Sequence, residues 1–232
     1  MKRRISITVI CLVPTLLAAT GCRTLSSFSQ TTKSASARAQ PDAHGQTAAP
    51  RPSSGSPFLD KLVEAAIERT THEVRYDPAY VRLPYPGGDV PAETGVCTDE
   101  VIRSYRAVGI DLQREVHEDM ALNFAAYPRT WKMKGPDANI DHRRVPNLMV
   151  FFERQGAALP VTANAKDYRP GDVVTWDLGG SMTHIGIVVN LPSPADENRL
   201  LIVHNIGAGP QAEDVLFNWK ITGHYRYSGL RK

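Results

Sequence analysis

The sequence predicts a single α+β domain in which helices come first and an antiparallel sheet follows. Between residues 57 and 154, apolar residues recur at three- and four-residue spacing, which is typical of amphipathic helices. After residue 170 the pattern changes to short runs rich in Val, Ile and aromatic residues, which are typical of strands. The stretch 57–232 has the length of one ordinary domain.

Four helices are expected from their start and stop signals. Each has a capping Ser or Asp, a proline or a glycine-rich turn at its start, and glycine ends two of them. The predicted helices begin at Pro57, run from Cys97 or Thr98 to about Val108, follow Asp111, and span 147–154.

Four strands are expected after the Pro170-Gly171-Asp172 turn. The predicted strands cover 173–176, 184–190, 200–205 and 221–227. Between the first two predicted helices, several prolines and glycines break the chain into a long loop.

The first 22 residues form a predicted targeting segment. A basic start is followed by the apolar stretch 5–19, which is too short for a comfortable membrane span. Ala19-Thr20-Gly21-Cys22 resembles a bacterial lipobox, so we expect cleavage before Cys22 and lipidation of that residue. Ordinary secretory cleavage is the alternative, because alanine is less usual than leucine at the first lipobox position. The Arg3-Arg4 pair also suggests a twin-arginine signal, although its surroundings fit poorly.

Residues 23–56 are predicted to form a flexible tether. They are mostly Ser, Thr, Ala, Gln, Pro and Gly, and they cannot bury enough apolar surface to offset the entropy of ordering. Such a chain has a root-mean-square span of about 30 Å. We therefore expect a lipid anchor, this tether and a catalytic domain over 57–232.

The charge balance argues against nucleic-acid binding. The net charge is +3 and 22% of residues are charged, which is too mild for a polyanion-binding protein. The adjacent Arg143 and Arg144 form a short basic patch that we interpret as solvated surface.

Cys97 is the candidate nucleophile. If Cys11 is removed with the signal segment and Cys22 is lipidated, Cys97 has no partner for a disulfide. An unpaired cysteine in an oxidising compartment suggests a working thiol. The alternative is a buried structural thiol, but the Gly- and Pro-rich approach to Cys97 favours the start of a helix.

A thiol at a helix start needs a base. The helix N-terminus favours a thiolate and offers backbone N–H groups to an oxyanion. Asp99 and Glu100 oppose a thiolate at Cys97, so we expect a histidine partner.

His184 is the predicted base and His204 its orienting partner. His184 shares a strand face with Gly186, whose missing side chain leaves room beside the imidazole. An antiparallel hairpin centred near Pro194 places His204 directly opposite His184, unless a bulge shifts the register. Asn205 is the alternative orienter but points to the other face. We also expect the helix that begins at Cys97 to pack against the His184 face.

Other histidines offer weaker candidates. His142 and His224 could line a cleft, although local hydrogen bonding is the more common role. A zinc site built from His142, His184 and His204 is conceivable, but no short ligand spacing supports it. The sequence has no phosphate loop or dinucleotide fingerprint, and no metal or organic cofactor is expected.

Several segments resemble NlpC-type peptidoglycan hydrolases. Tyr85-x-Gly87-Gly88 with Gly95-Val96-Cys97 resembles their Tyr-x-x-Gly-Gly…Gly-x-Asp-Cys-Ser stretch. The segments 170–176, 183–188 and 202–204 resemble, in order, their Pro-Gly-Asp strand, their Ser-His-Val-Gly-Ile-Tyr strand and the strand that ends in their third catalytic histidine. Valine replaces aspartate before Cys97, so the substrate contacts of that branch do not transfer.

The stretch 76–227 more closely resembles the domain-of-unknown-function family 1287 (DUF1287) of the NlpC/p60-like clan. The matching segments are 95–99, 139–148, 204–207 and 221–227. The resemblance implies a papain-like fold with Cys97 as nucleophile, His184 as base and His204 as the third catalytic residue. We predict substrate contacts at residues within or near these motifs: Tyr85, Asp99, His142 and Arg143.

Together these features predict a lipid-anchored cysteine hydrolase on the periplasmic side of the bacterial outer membrane. The expected substrate is the peptidoglycan stem peptide, because clan members cut amide bonds there and the tether reaches the wall. The expected partners are peptidoglycan and the membrane. The alternatives are a non-catalytic envelope lipoprotein that uses the fold for wall binding or scaffolding, and a toxin-like effector.

Overall fold

Helices and strands separate along the chain, as the α+β prediction requires. The structure, a computed structural model, describes residues 51–229, which belong to one compact unit. The predicted signal segment, Cys22 and most of the tether lie outside the described residues. The helices are α1 (Pro57–Arg69), α2 (Cys97–Ala107), α3 (Leu112–Asn123) and α4 (Val145–Arg154). The strands are β1 (Arg75–Tyr76), β2 (Thr94–Gly95), β3 (Val173–Gly179), β4 (Met182–Pro192), β5 (Leu200–Asn205), β6 (Pro210–Glu213) and β7 (Lys220–Tyr225).

The local signals in the sequence place the helix ends well. Proline stands at the start of α1, and α2 begins at Cys97 and stops before Gly109, whose φ of +90° suits glycine. The Asp111 side chain accepts hydrogen bonds from the backbone N–H groups of Gln113 and Arg114 at the start of α3. The four predicted helices and the four predicted strands are confirmed.

Three short strands escaped prediction. β1 and β2 form a two-residue parallel pair, and β6 begins with a proline at the edge of the main sheet. Two- and four-residue strands show too little alternation for a sequence pattern.

The main sheet is antiparallel with the strand order β6-β5-β4-β3-β7, so β4 lies at its centre. One face of β4 presents Ile185, Ile187 and Val189 to the helices, where they join the larger apolar core. The other face belongs to a smaller core that includes Trp176 and Val188. His184 lies on this second face, because its partner across the strands is Trp176.

The packing of α2 corrects one prediction. Val101, Ile102 and Tyr105 of α2 share the larger core with the isoleucines of β4, so α2 covers the isoleucine face and not the His184 face. The reason is the apolar area that each face offers, since histidine and glycine supply little of it.

The register of the β4–β5 hairpin is also shifted. Ile187 pairs with Val203, two residues later than predicted, and the ladder is irregular before Pro192. His184 is therefore not directly opposite His204, and the predicted pairing is wrong. Because the shift is an even number of residues, both histidines still share one face.

Gly186 makes the close approach of β4 and β5 possible. A Cβ atom at Gly186 would lie 2.6 Å from Ile202 Cγ2, 2.9 Å from the Val203 carbonyl oxygen and 3.1 Å from His204 Cβ. The glycine thus lets the two strands meet beside His204. Among residues 51–229, no helix is long and apolar enough to cross a membrane.

We predict that Gly186→Ala destabilises the fold by about 1–3 kcal/mol, because its methyl group must displace backbone as well as side-chain atoms. Urea unfolding of the full chain measures the loss. Gly135→Ala is the matched control, since its added Cβ would meet no atom within 4 Å, and it should change stability by less than about 0.5 kcal/mol. Equal effects of the two substitutions would contradict the close approach.

Candidate active site

The Cys97 thiol lies at the N-terminus of α2 against the central strand. Cys97 is 4% exposed, and the backbone N–H of Ile185 faces the sulfur, where it favours negative charge. The Val188 N–H points toward β3, where it donates to the Asp172 carbonyl, so alternation directs the Ile185 N–H toward β5. The last pair toward this end of β5 is Ile187 with Val203. The ladder thus leaves the Ile185 N–H open toward the Cys97 sulfur.

The environment of the thiol favours its neutral form. Burial raises the pKa of Cys97 to about 12, and the Asp99 carboxylate adds to the rise. The N–H groups of Ile185 and Thr98 oppose it without reversing it. The helix N-terminus thus supplies part of the field that a thiolate needs, and desolvation outweighs it.

Tyr76 lies against the thiol, and the sequence reasoning missed it. Burial raises the pKa of Tyr76 to about 12, followed by the nearby Cys97 and Asp99 side chains. Its parallel pairing with Gly95 brings Tyr76 beside the approach to Cys97. The predicted Tyr85 instead packs its ring 5.0 Å from that of His117 on α3. A two-residue strand gave no pattern that could have identified Tyr76.

His184 and His204 form a buried imidazole pair. His184 Nε2 lies 2.7 Å from His204 Nδ1, and their ring planes meet at 78°. Trp176 and Trp219 pack around His184, with ring centroids 5.8 Å and 6.0 Å away. Burial lowers the pKa of His184 to about 3, and His204 lowers it further, so the pair is neutral at pH 7.

The thiol and the imidazole pair meet at one peptide of β4. The Ile185 N–H that follows His184 faces the sulfur, and His184 carries the imidazole on the second face of the sheet. Among the hydrogen bonds of residues 51–229 there is none between Cys97 and His184. The thiol and the imidazole therefore approach adjacent residues of β4, the thiol from the helix side and the ring on the other face.

Glu213 adds a carboxylate to the imidazole pair. Its Oε2 lies 2.9 Å from His204 Nε2, off the direction required for a well-aligned hydrogen bond. Burial lowers the pKa of His204, and Glu213 opposes that change. Glu213 is on β6, the edge strand that the sequence pattern did not reveal, and its side chain is 42% exposed.

Asp99 and Arg143 form a buried clamp around the start of α2. Arg143 donates from Nε and Nη2 to the two Asp99 carboxylate oxygens at 2.8 and 3.0 Å, and from Nη1 to the Ala79 carbonyl. Asp99 also accepts from the Val96 N–H, and Thr98 Oγ1 donates to the Arg143 carbonyl. Their polar atoms hold the helix start and the loop after β1, and that Asp99 and Arg143 contact substrate stays a prediction.

The remaining predicted histidines lie in other surroundings. His142 is 1% exposed, its Nδ1 has no partner, and burial lowers its pKa to about 3. It therefore faces no cleft, and the predicted substrate contact is corrected. His224 stacks on Tyr168 and bonds to Asp172 and to the Pro160 carbonyl, which is the local role expected for it. No group of three or more His, Cys, Asp or Glu within 51–229 is arranged to hold a metal ion.

We predict that Arg143→Met destabilises the fold by roughly 3–5 kcal/mol, because it leaves the Asp99 carboxylate buried without its partner. Thermal or urea unfolding measures the loss. Arg129→Met is the control, since Arg129 is exposed. A double variant Arg143→Met/Asp99→Leu should recover much of the loss; a double variant as unstable as the single one would contradict the unpaired-charge explanation.

Comparison with known proteins places the chain in a family. Residues 63–227 match the family described as Domain of unknown function (DUF1287). Over 166 residues the chain is 54% identical to the Uncharacterized protein YijF of Escherichia coli (strain K12), which covers 72% of this chain and 80% of that protein. No solved structure matches the chain significantly. The chain belongs to the DUF1287 family.

Proposed function

We propose that the chain is a cysteine hydrolase of the bacterial cell envelope, with a papain-like fold of the NlpC/p60 type. The observation that carries this proposal is the buried His184–His204 contact, which lies one residue before the β4 N–H that faces the Cys97 sulfur. A nucleophile, a base and an orienting group next to one another are the parts that acyl transfer needs.

Glu213 sets the direction of the proton chain. A lone pair on His204 Nε2 would face a carboxylate oxygen at 2.9 Å, so the proton belongs on Nε2. His204 Nδ1 then carries the lone pair and accepts from His184 Nε2–H across 2.7 Å. The remaining ring nitrogen, His184 Nδ1, holds the lone pair that takes a proton, as a general base requires.

The reaction starts from a neutral thiol. During attack, the sulfur bonds to the carbonyl carbon while its proton passes to His184 Nδ1. The positive charge on the His184 imidazolium and the negative charge on the attacked carbonyl oxygen then form together. Their attraction in a buried site offsets much of the desolvation cost that opposes either charge alone. The imidazolium returns the proton to the leaving nitrogen as the C–N bond breaks, and water later cleaves the thioester.

The start of α2 supplies the oxyanion donors. In the first helical turn, the N–H groups of Cys97 and Thr98 have no partner within the helix. Both lie beside the thiol, where they already favour negative charge. A carbonyl oxygen that gains charge at this position meets two preorganised donors.

We further propose that the substrate is a peptidoglycan stem peptide and that Cys22 is lipidated on the periplasmic side of the outer membrane. These assignments come from the lipobox-like Ala19-Thr20-Gly21-Cys22 and the tether-like segment that follows it. The anchor would keep the domain beside the wall, where amide bonds are abundant.

We predict that the full chain cleaves purified muropeptides, with products identified by mass spectrometry. Cys97→Ser should abolish cleavage, and His184→Ala should reduce kcat/KM by about 10²–10⁴, the usual contribution of a general base. His72→Ala is the control, because His72 is an exposed histidine paired with Glu68. Since the pKa of His184 is lowered to about 3, the base stays unprotonated and kcat/KM should not fall between pH 7 and pH 5.

The second candidate is a non-catalytic envelope protein that uses the same fold for wall binding. The observation in its favour is the thiol itself, which is 4% exposed and neutral. Alkylation distinguishes the two functions. If Cys97 is catalytic, a small chloromethyl amide that mimics an acyl group alkylates it in the native protein, and this reaction requires His184. If alkylation occurs only after unfolding, and muropeptides are bound but not cut, the scaffold function is correct.

We predict that Glu213→Ala moves the His204 proton away from Nε2 and lowers kcat several-fold with little change in KM. The ¹⁵N chemical shifts of the ring nitrogens report the tautomer directly. Glu213→Gln should have a smaller effect, because an amide oxygen still accepts the Nε2 proton. Glu197→Gln, at an exposed position, is the control. An unchanged tautomer in Glu213→Ala would show that Glu213 does not direct the proton chain.

A further inference from the structure

A cavity of about 320 Å³ opens beside the nucleophile. Its walls include Val96, which immediately precedes Cys97, and Pro78 of the loop that follows Tyr76. The other lining residues are Tyr80, Trp131, Ile140, Arg143 and Arg144. A second cavity of about 460 Å³ shares Ile140 and Arg144 with it, so the two adjoin at these residues, and we call them together the groove.

The groove has exposed aromatic walls that are held in place. Tyr80 is 55% exposed and Trp131 is 42% exposed. The Tyr80 hydroxyl donates to Asp137 at 3.0 Å and accepts from Asn139 Nδ2 at 3.0 Å. Large aromatic side chains fixed at a surface cleft are typical of binding sites.

Arg144 is the cation of this groove without an ionic partner. Its guanidinium carbon lies 4.1 Å from the centre of the Trp131 ring, and Nη1 contacts the Met133 sulfur. Burial lowers the pKa of Arg144, and the nearby Asp141 and Asp137 carboxylates oppose this without lying within ion-pair distance of it. The adjacent Arg143 differs, since it forms an ion pair with Asp99. Arg144 therefore keeps guanidinium N–H groups that no carboxylate of residues 51–229 holds in an ion pair.

We propose that this groove binds a peptide segment through a free carboxylate, with Arg144 as the bidentate partner and Trp131 and Tyr80 as the walls. A planar guanidinium matches a carboxylate with two parallel hydrogen bonds. The site next to Cys97 acts on amides, so the anion expected there is the carboxylate of a peptide. This inference rests on the proposed hydrolase and assigns its substrate class: peptides that carry a free carboxylate near the reacting amide.

The test measures binding apart from chemistry. The full chain with Cys97→Ala is titrated by calorimetry with a synthetic stem tetrapeptide whose carboxylates are free, and with the same peptide fully amidated. The free acid should bind about tenfold or more tightly, since a hydrogen bond between charged groups contributes that much. Arg144→Gln should remove this preference, and Arg144→Lys should keep part of it because a point charge lacks the planar fork.

The matched control is Arg129→Gln. Arg129 also lies over an aromatic ring, 5.8 Å from that of Phe124, but does not line the groove, so the preference should remain. Equal affinity for the two peptides, no measurable binding of either, or displacement of the peptide by equimolar inorganic phosphate would overturn the proposal. Carboxylate-dependent binding without cleavage by the unsubstituted chain would refute the hydrolase and leave the groove assignment standing.

Discussion

The buried ion pair between Arg143 and Asp99 is the constraint on which the site depends. Asp99 lies two residues after the candidate nucleophile, and Arg143 also binds the backbone of the loop that follows Tyr76. One guanidinium thus fixes the start of α2, the approach to Cys97 and one wall of the groove. Two charges taken out of water stabilise a fold only when each is fully satisfied, and the four hydrogen bonds of Arg143 meet that condition. The pair therefore specifies geometry more than it adds stability.

The two faces of the central strand β4 have different roles. Ile185 and Ile187 pack β4 against the helices, while His184 and Gly186 face the smaller core with the tryptophans. A thiol on the helix side could not meet an imidazole on the other side through an intact ladder. The β4–β5 ladder ends at the Ile187–Val203 pair, and the Ile185 N–H beyond it faces the sulfur. Burial keeps the thiol neutral, and this N–H opposes that effect only in part.

The sequence predicted the helices and strands that have a regular apolar pattern. Helical periodicity, the Asp111 cap and the strand runs identified the helices and four of the seven strands, and Cys97 stands at the predicted helix start. Pairwise geometry was harder: the irregular ladder before Pro192 shifted the register by two residues, which no alternation pattern encodes. Tyr76 and Glu213 escaped because two- and four-residue strands have no measurable period. The ion pair between Asp99 and Arg143 was not predicted, because a single sequence gives no sign that two charges 44 residues apart meet in the folded chain.

The charges of the site are arranged in order of exposure, and this order suits a reaction that creates charge only when substrate is present. Glu213 is the most exposed and lies beside His204, while His184 and Cys97 are buried and neutral. A permanent imidazolium–thiolate pair would face the desolvation that burial imposes on both partners. The Glu213 carboxylate, which contacts His204 from the exposed side, can instead orient the proton chain without entering the core. Arg143 and Arg144 differ in the same way: the fold pairs Arg143 with a buried carboxylate, while Arg144 stacks on Trp131 without an ion pair among residues 51–229.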